Sequence, residues 1–179
     1  LMSGLLAGRE NLDVTMTGDE SLSIRPMKRV ILPLEKMGAQ IDSKEGHLPM
    51  RITGKKLDGI QYTLPVASAQ VKSCVLFAGL SAQGKTFVEE PIKSRDHTER
   101  MMKIFRIPVF QNKNTISVHT LRRFIPGFDY SVPGDPSSAA YWVAAGLLLP
   151  KSKLLLRKIS MNPTRTAFIS LLRSSGANI

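Results

Sequence analysis

Three apolar segments rich in small residues recur along the chain, each passing through Ala-Gly, with glycine spacings of 71 and 67 residues. They are Leu1–Gly8, Ala69–Leu80 and Pro136–Leu149, and their glycines are Gly8, Gly79 and Gly146. Amphipathic segments alternate with them: Pro26–Met37, Asp96–Phe105 and Pro163–Leu172. An arginine stands at or near the start of each, at Arg25, Arg95 and Arg165, in steps of 70. Gly38-Ala39 and Gly176-Ala177 close two of these segments, as a left-handed cap after a helix requires. Strand candidates fill the intervals: Asp13–Thr17, Gln40–Asp42, Met50–Thr53, Gln61–Pro65, Thr86–Glu89, Thr115–His119, Tyr130–Pro133 and Lys153–Lys158. The repeating unit therefore reads βαβαββ. Its period exceeds that of solenoid repeats, which points to a few large subdomains and an α/β (α+β) fold.

Val71–Leu80 and Ala139–Leu149 are apolar all round, so both helices are expected to be buried, with strands outside them. Tyr141 and Trp142 are read as packing residues. Both ends look cut: LMSGLLAGRE opens inside an apolar helix pattern, and SLLRSSGANI stops where a strand should enter. An internal piece of a longer protein is the expectation.

The net charge of +11 is unevenly placed. Residues 1–90 carry 11 basic and 10 acidic side chains, residues 91–179 carry 14 and 4. A basic half calls for an anionic partner or is simply a solvated surface. The nucleic-acid reading lacks an aromatic recognition run, zinc-finger spacing or a polybasic block. No apolar run reaches the length of a membrane span. One cysteine excludes a disulfide framework or a Cys-rich zinc site. Cys74 sits among Val75 and Leu76, where a buried inert thiol is expected. His47, His97 and His119 have no partner pattern that makes them catalytic.

Pro65, Ser68, Asp135 and Pro136 stand where the apolar helices begin. Such ends can cap their own N–H groups or bind an anion. The sequence alone leaves both open.

Five strings carry a resemblance: GDESLSIRPMKRV (18–30), LPVASAQVKSCVLFAGL (64–80), EPIKSRDHTERM (90–101), VPGDPSSAAYWVAAGLL (132–148) and MNPTRT (161–166). In order and spacing they resemble the 5-enolpyruvylshikimate-3-phosphate synthase family, in its bacterial form. The resemblance implies βαβαββ units, three per domain, in two domains facing a cleft. Residues 1–127 would be a two-unit part of one domain. Residues 128–179 would begin the second, after a crossing near Pro126–Ser131. The implied reaction moves the enolpyruvyl group of phosphoenolpyruvate to the 5-hydroxyl of shikimate 3-phosphate and releases phosphate. No cofactor and no metal is implied, and the partners are these two small anions, not nucleic acid or membrane. A cytoplasmic enzyme, monomeric at full length, is implied too.

Matched residue by residue, Arg25 would grip phosphoenolpyruvate from just before a proline at the first helical position. Ser68 and Gln70 would bind shikimate 3-phosphate, with Ala69 offering its backbone N–H and Gln70 also reaching the enolpyruvyl end. Arg95 would lie near the sugar phosphate, unless Asp96 or Glu99 merely pairs with it. Arg165 is read as structural. The family's general acid and base would lie outside residues 1–179, so the isolated chain is expected to be inactive. FRIPVF (105–110) departs from the pattern: Arg106 and Pro108 stand where Gly-Ala is usual. Two other readings stay open. One is UDP-N-acetylglucosamine enolpyruvyl transferase, whose mobile-loop cysteine has no counterpart in residues 15–25. The other is a non-enzymatic basic module that binds nucleic acid or another anion.

Overall fold

The order of elements repeats as the glycines do. The structure, a computed structural model, describes residues 1–179. First come α1 (Met2–Ala7), β1 (Asp13–Met16), α2 (Glu20–Ser23), α3 (Lys28–Lys36), β2 (Gln40–Lys44) and β3 (His47–Thr53). Then follow β4 (Gln61–Thr63), α4 (Ala69–Gly79), β5 (Lys85–Glu89), α5 (His97–Ile104), β6 (Val109–Asn112) and β7 (Thr115–His119). The chain ends in α6 (Pro136–Leu148) and α7 (Ala167–Ser174). Residues 61–119 are one whole βαβαββ unit. β4 and β5 are parallel, β7 is antiparallel to both β5 and β6, and the order is β4-β5-β7-β6. The first sheet, β1-β3-β2, is all antiparallel and repeats the β5-β7-β6 part of that order.

The chain divides into two compact units, Leu1–Phe124 and Ile125–Ile179. In the first, α4 is the central element and packs on α1, α3, β5 and β7. Every residue from Val71 to Gly79 is buried, as a helix apolar all round must be. The sheets cover the helices with their apolar faces. On β3, Leu48, Met50 and Ile52 point inward, and on β7 Ile116 and Val118 do, at the two-residue period of a half-buried strand. α3 turns Val30, Ile31 and Leu34 toward the same core. Small residues let α1 and α4 approach closely: a Cβ built on Gly4 would lie 2.0 Å from the Cys74 carbonyl oxygen.

Several elements differ from the sequence reading. α6 is not buried: only Pro136 and Ala139 are, while Tyr141 is 81% and Trp142 63% exposed. Within its own unit α6 has only α7 and the segment after Leu149 to cover it. These enclose a cavity of about 470 Å³ along one side, lined by Val143, Leu147, Leu154 and Phe168. Tyr130–Pro133 and Lys153–Lys158 are not strands. A single bridge, Gly134 to Ile159, joins these regions. Pro133 has no N–H to donate, and no third strand lies beside the pair to extend it.

β6 was not picked out by residue pattern, although the βαβαββ unit calls for a strand there. Its pattern is mostly exposed and it follows Pro108, so it lacks the alternation that marks a strand. Nor was the short α2, which Asp19 caps by accepting from Leu22 N at 2.7 Å. α3 begins later than read. Met27 is its N-cap, so Pro26 lies outside the helix, while Pro33 lies inside it. α7 also begins later, because Asn162 first folds residues 162–165 into a turn by accepting from Thr164 N at 3.0 Å.

Candidate functional site

The start of α4 carries three of the residues singled out above. Ser68 is the N-cap in an extended conformation, and its Oγ accepts from Val71 N at 3.4 Å. That is a long cap bond. Ala69 and Gln70 occupy the first two helical positions, where backbone N–H groups have no partner within the helix. Their dipoles add to the positive end of the helix. Ser68 and Ala69 are half-buried and Gln70 is exposed. The apolar body begins only at Val71, so the Gln70 amide stays outside the core.

Arg95 is brought to this helix by a contact the sequence reading missed. Lys72, one turn into α4, is 1% exposed. Its Nζ donates to the Arg95 carbonyl at 2.9 Å and to Glu90 Oε2 at 3.0 Å. It also pairs with Glu99 Oε1 at 2.7 Å. Glu90 in turn accepts from Ser94 N at 3.2 Å and from the Ser94 hydroxyl. The loop 90–95 is thus bound to α4 from within. Ser73 makes a second tie, donating to Ala69 O at 2.7 Å while its hydroxyl lies 2.6 Å from that of Thr98. The signal for this cluster was present: Lys72 is the one charged residue in an otherwise uncharged helix, with two glutamates following in 90–99.

The Arg95 side chain is exposed. Glu99, a possible partner for it on sequence, pairs with Lys72 instead, and Asp96 accepts from Arg100 Nε at 2.9 Å. Arg25 is exposed as well and sits between α2 and α3, its N–H bonded to Leu22 O at 3.1 Å. It therefore follows a short helix and does not abut the first turn of α3. Arg25 is bonded back to Leu22 of α2 and not to the α4 start, whereas the Lys72 cluster joins the Arg95 backbone to α4.

The third arginine repeats the theme differently. Arg165 Nη2 pairs with Asp135 Oδ1 at 3.3 Å and donates to the Ser137 hydroxyl. Asp135 caps α6 by accepting from Ser137 N and Ser138 N. The Ser137 N–H is the main cause that holds Asp135 below the usual carboxylate range. Arg165 is thus engaged by a helix cap.

Burial pushes the Cys74 thiol up to about 11, which keeps it protonated and unreactive. His119 ends β7 with its ring edge-on to Phe110 at 5.6 Å. His47 opens β3 after a two-residue turn, and His97 opens α5. No group of three His, Cys, Asp or Glu side chains comes together that could hold a metal ion. No helix is long and apolar enough to cross a membrane.

What the α4 start offers is a set of donors and no base: two free N–H groups, a hydroxyl and an amide, with the backbone of Arg95 tied to the same helix by Lys72. Such a set holds and orients an anion.

Known proteins match this chain along its whole length. The family model for EPSP synthase (3-phosphoshikimate 1-carboxyvinyltransferase) matches residues 1–179. The 3-phosphoshikimate 1-carboxyvinyltransferase of Endomicrobium trichonymphae is 48% identical over 180 residues, covering all of this chain and 41% of the relative. That of Bacillus subtilis is 48% identical over 181 residues, covering 42% of the relative. The solved EPSP synthase of Acinetobacter baumannii superposes with a TM-score of 0.89 at 45% identity, over 99% of this chain and 40% of that one. The chain thus spans about two-fifths of the length of the relatives it matches. With a family match from the first residue to the last, carried by the repeated βαβαββ architecture, the chain belongs to the EPSP synthase family.

Proposed function

We propose that this chain is a segment of an enzyme that joins phosphoenolpyruvate to shikimate 3-phosphate. The 5-hydroxyl of shikimate 3-phosphate loses its proton to a base as its oxygen adds to C2 of phosphoenolpyruvate, while the methylene carbon takes a proton from an acid and becomes a methyl group. The tetrahedral adduct then loses phosphate and one proton of that methyl group, leaving the enolpyruvyl ether. The observation that carries this reading is the family match over residues 1–179, with Ser68-Ala69-Gln70 at the uncovered start of α4.

Ser68, the Ala69 N–H and Gln70 bind shikimate 3-phosphate, and Arg95 adds charge beside its phosphate. Gln70 also reaches the enolpyruvyl end. Arg25 grips phosphoenolpyruvate. Two anions brought together repel, so cationic and N–H donors fixed in place before binding supply much of the rate. The acid and base come from parts of the enzyme outside residues 1–179. Residues 1–127 belong to one domain and 128–179 begin the second, a reading supported by the division of the chain after Phe124. The enzyme works without cofactor, as a cytoplasmic monomer, and binds no nucleic acid.

The test is phosphate release by the full-length protein. It should require both phosphoenolpyruvate and shikimate 3-phosphate, and UDP-N-acetylglucosamine should not substitute. The isolated 179-residue chain should release none. Release with UDP-N-acetylglucosamine in place of shikimate 3-phosphate would overturn the assignment.

A further inference from the structure

We propose that Lys72 is a positioning residue for the shikimate 3-phosphate site, fixing Arg95 against the α4 start; this rests on the reading of that site given above. An ammonium has three protons, and Lys72 has three acceptors: Glu90 Oε2, Glu99 Oε1 and the Arg95 carbonyl, all within 3.0 Å. Its backbone N–H makes the first helical bond of α4, to the carbonyl of Ser68 at 3.0 Å. The side chain therefore ties the Arg95 carbonyl to the helical turn that begins at Ser68. The charge is 1% exposed, so solvent does not compete for it.

The cluster is not built for stability alone. One cation faces two carboxylates, and Glu99 Oε2 has no hydrogen-bond partner although it is buried. Well-packed apolar residues would do as well or better at filling such a site. An apolar side chain, however, cannot hold the Arg95 carbonyl. The arrangement fixes a backbone position at an energetic cost, which is what a preformed anion site needs.

Lys72→Met alone would strand two buried carboxylates and destabilise the fold for that reason. The compensated variant Lys72→Met/Glu90→Gln/Glu99→Gln removes all three charges together. In the full-length enzyme it should keep its unfolding midpoint near wild type. Its Kd for shikimate 3-phosphate, measured by calorimetry without phosphoenolpyruvate, should rise at least about tenfold through misplacement of Arg95. KM for phosphoenolpyruvate should change little. A folded triple variant with wild-type affinity for shikimate 3-phosphate would overturn the proposal. The milder Ser94→Ala, which removes one bond to Glu90 near the surface, should raise the same Kd about threefold. An unchanged Kd there would also count against it. Arg95→Ala separates the two levels. If it binds shikimate 3-phosphate normally, the site reading itself is wrong. If it binds weakly while the triple variant binds normally, only the role of Lys72 fails.

Discussion

Arg106 stands after α5 with φ +55°, in the left-handed position that Gly38 takes after α3 with φ +95°. The caps match bond for bond. Gly38 N donates to Glu35 O and Ala39 N to Leu34 O, while Arg106 N donates to Lys103 O and Ile107 N to Met102 O. Gly176 and Ala177 repeat the pattern after α7. The departure at FRIPVF therefore keeps the turn and puts a side chain where glycine is favoured. A non-glycine residue there costs about 1–2 kcal/mol. Arg106→Gly in the full-length protein should raise stability by about 0.5–1 kcal/mol in urea unfolding, after the added freedom of the unfolded chain. Gly38→Ala should do the opposite.

Gly4 tests the central packing. Its missing Cβ would sit 2.0 Å from the Cys74 carbonyl, a backbone atom that cannot rotate away. Gly4→Ala should force α1 from α4 and cost about 3 kcal/mol or more. Gly127, with nothing within 4 Å of a built Cβ, should tolerate alanine with little change. Equal effects at the two positions in thermal unfolding would contradict this packing.

Cys74 sets an alkaline limit. Its pKa is raised from 9.0 to about 11, first by desolvation. A thiol with a raised folded pKa favours folding fully below its unfolded pKa, and that contribution fades as pH climbs through the folded one. Stability should therefore decline between pH 9 and 11, and Cys74→Ala should flatten the decline. At pH 8 the native thiol should resist an aromatic disulfide reagent and react quickly once urea unfolds the chain.

Much of the first unit was legible because its signals are local. The residue run Val71–Leu80 gives a buried helix, the spacing of Gly8 and Gly79 gives the repeat, and Ser68 gives the α4 start. Three things were hidden. α6 looks like α4 in composition, but burial depends on what covers a helix, and its own unit covers one side only. β6 pairs through its backbone with mostly exposed side chains, so periodicity cannot find it. The Lys72 cluster joins residues 18 and 27 positions apart along the chain, so a lone lysine in an uncharged helix signals that partners exist but local periodicity does not say which carboxylates they are. The roles of Arg25, Ser68, Ala69, Gln70 and Arg95 came from resemblance, which composition and spacing could not supply.

Arg25 and Gln70 should separate by substrate. On the proposed assignment, Arg25→Ala in the full-length enzyme removes one charge-assisted contact to a desolvated anion, worth about 2–4 kcal/mol. KM for phosphoenolpyruvate should rise far more than KM for shikimate 3-phosphate. An equal effect on both would mean that Arg25 is misassigned.

Gln70→Ala is the most direct measurement. Gln70 is exposed at the second position of α4, with the apolar body starting one residue later, so the fold has little to lose. A surface substitution of this kind shifts stability by about 0.5 kcal/mol or less. The amide can donate to one substrate and accept from the other, and loss of that orientation costs rate. The full-length variant should unfold within about a degree or two of wild type, with kcat/KM lower by at least about tenfold. A steep drop in the unfolding midpoint, with normal kcat/KM in the enzyme that remains folded, would contradict the placement of the substrate site at the start of α4.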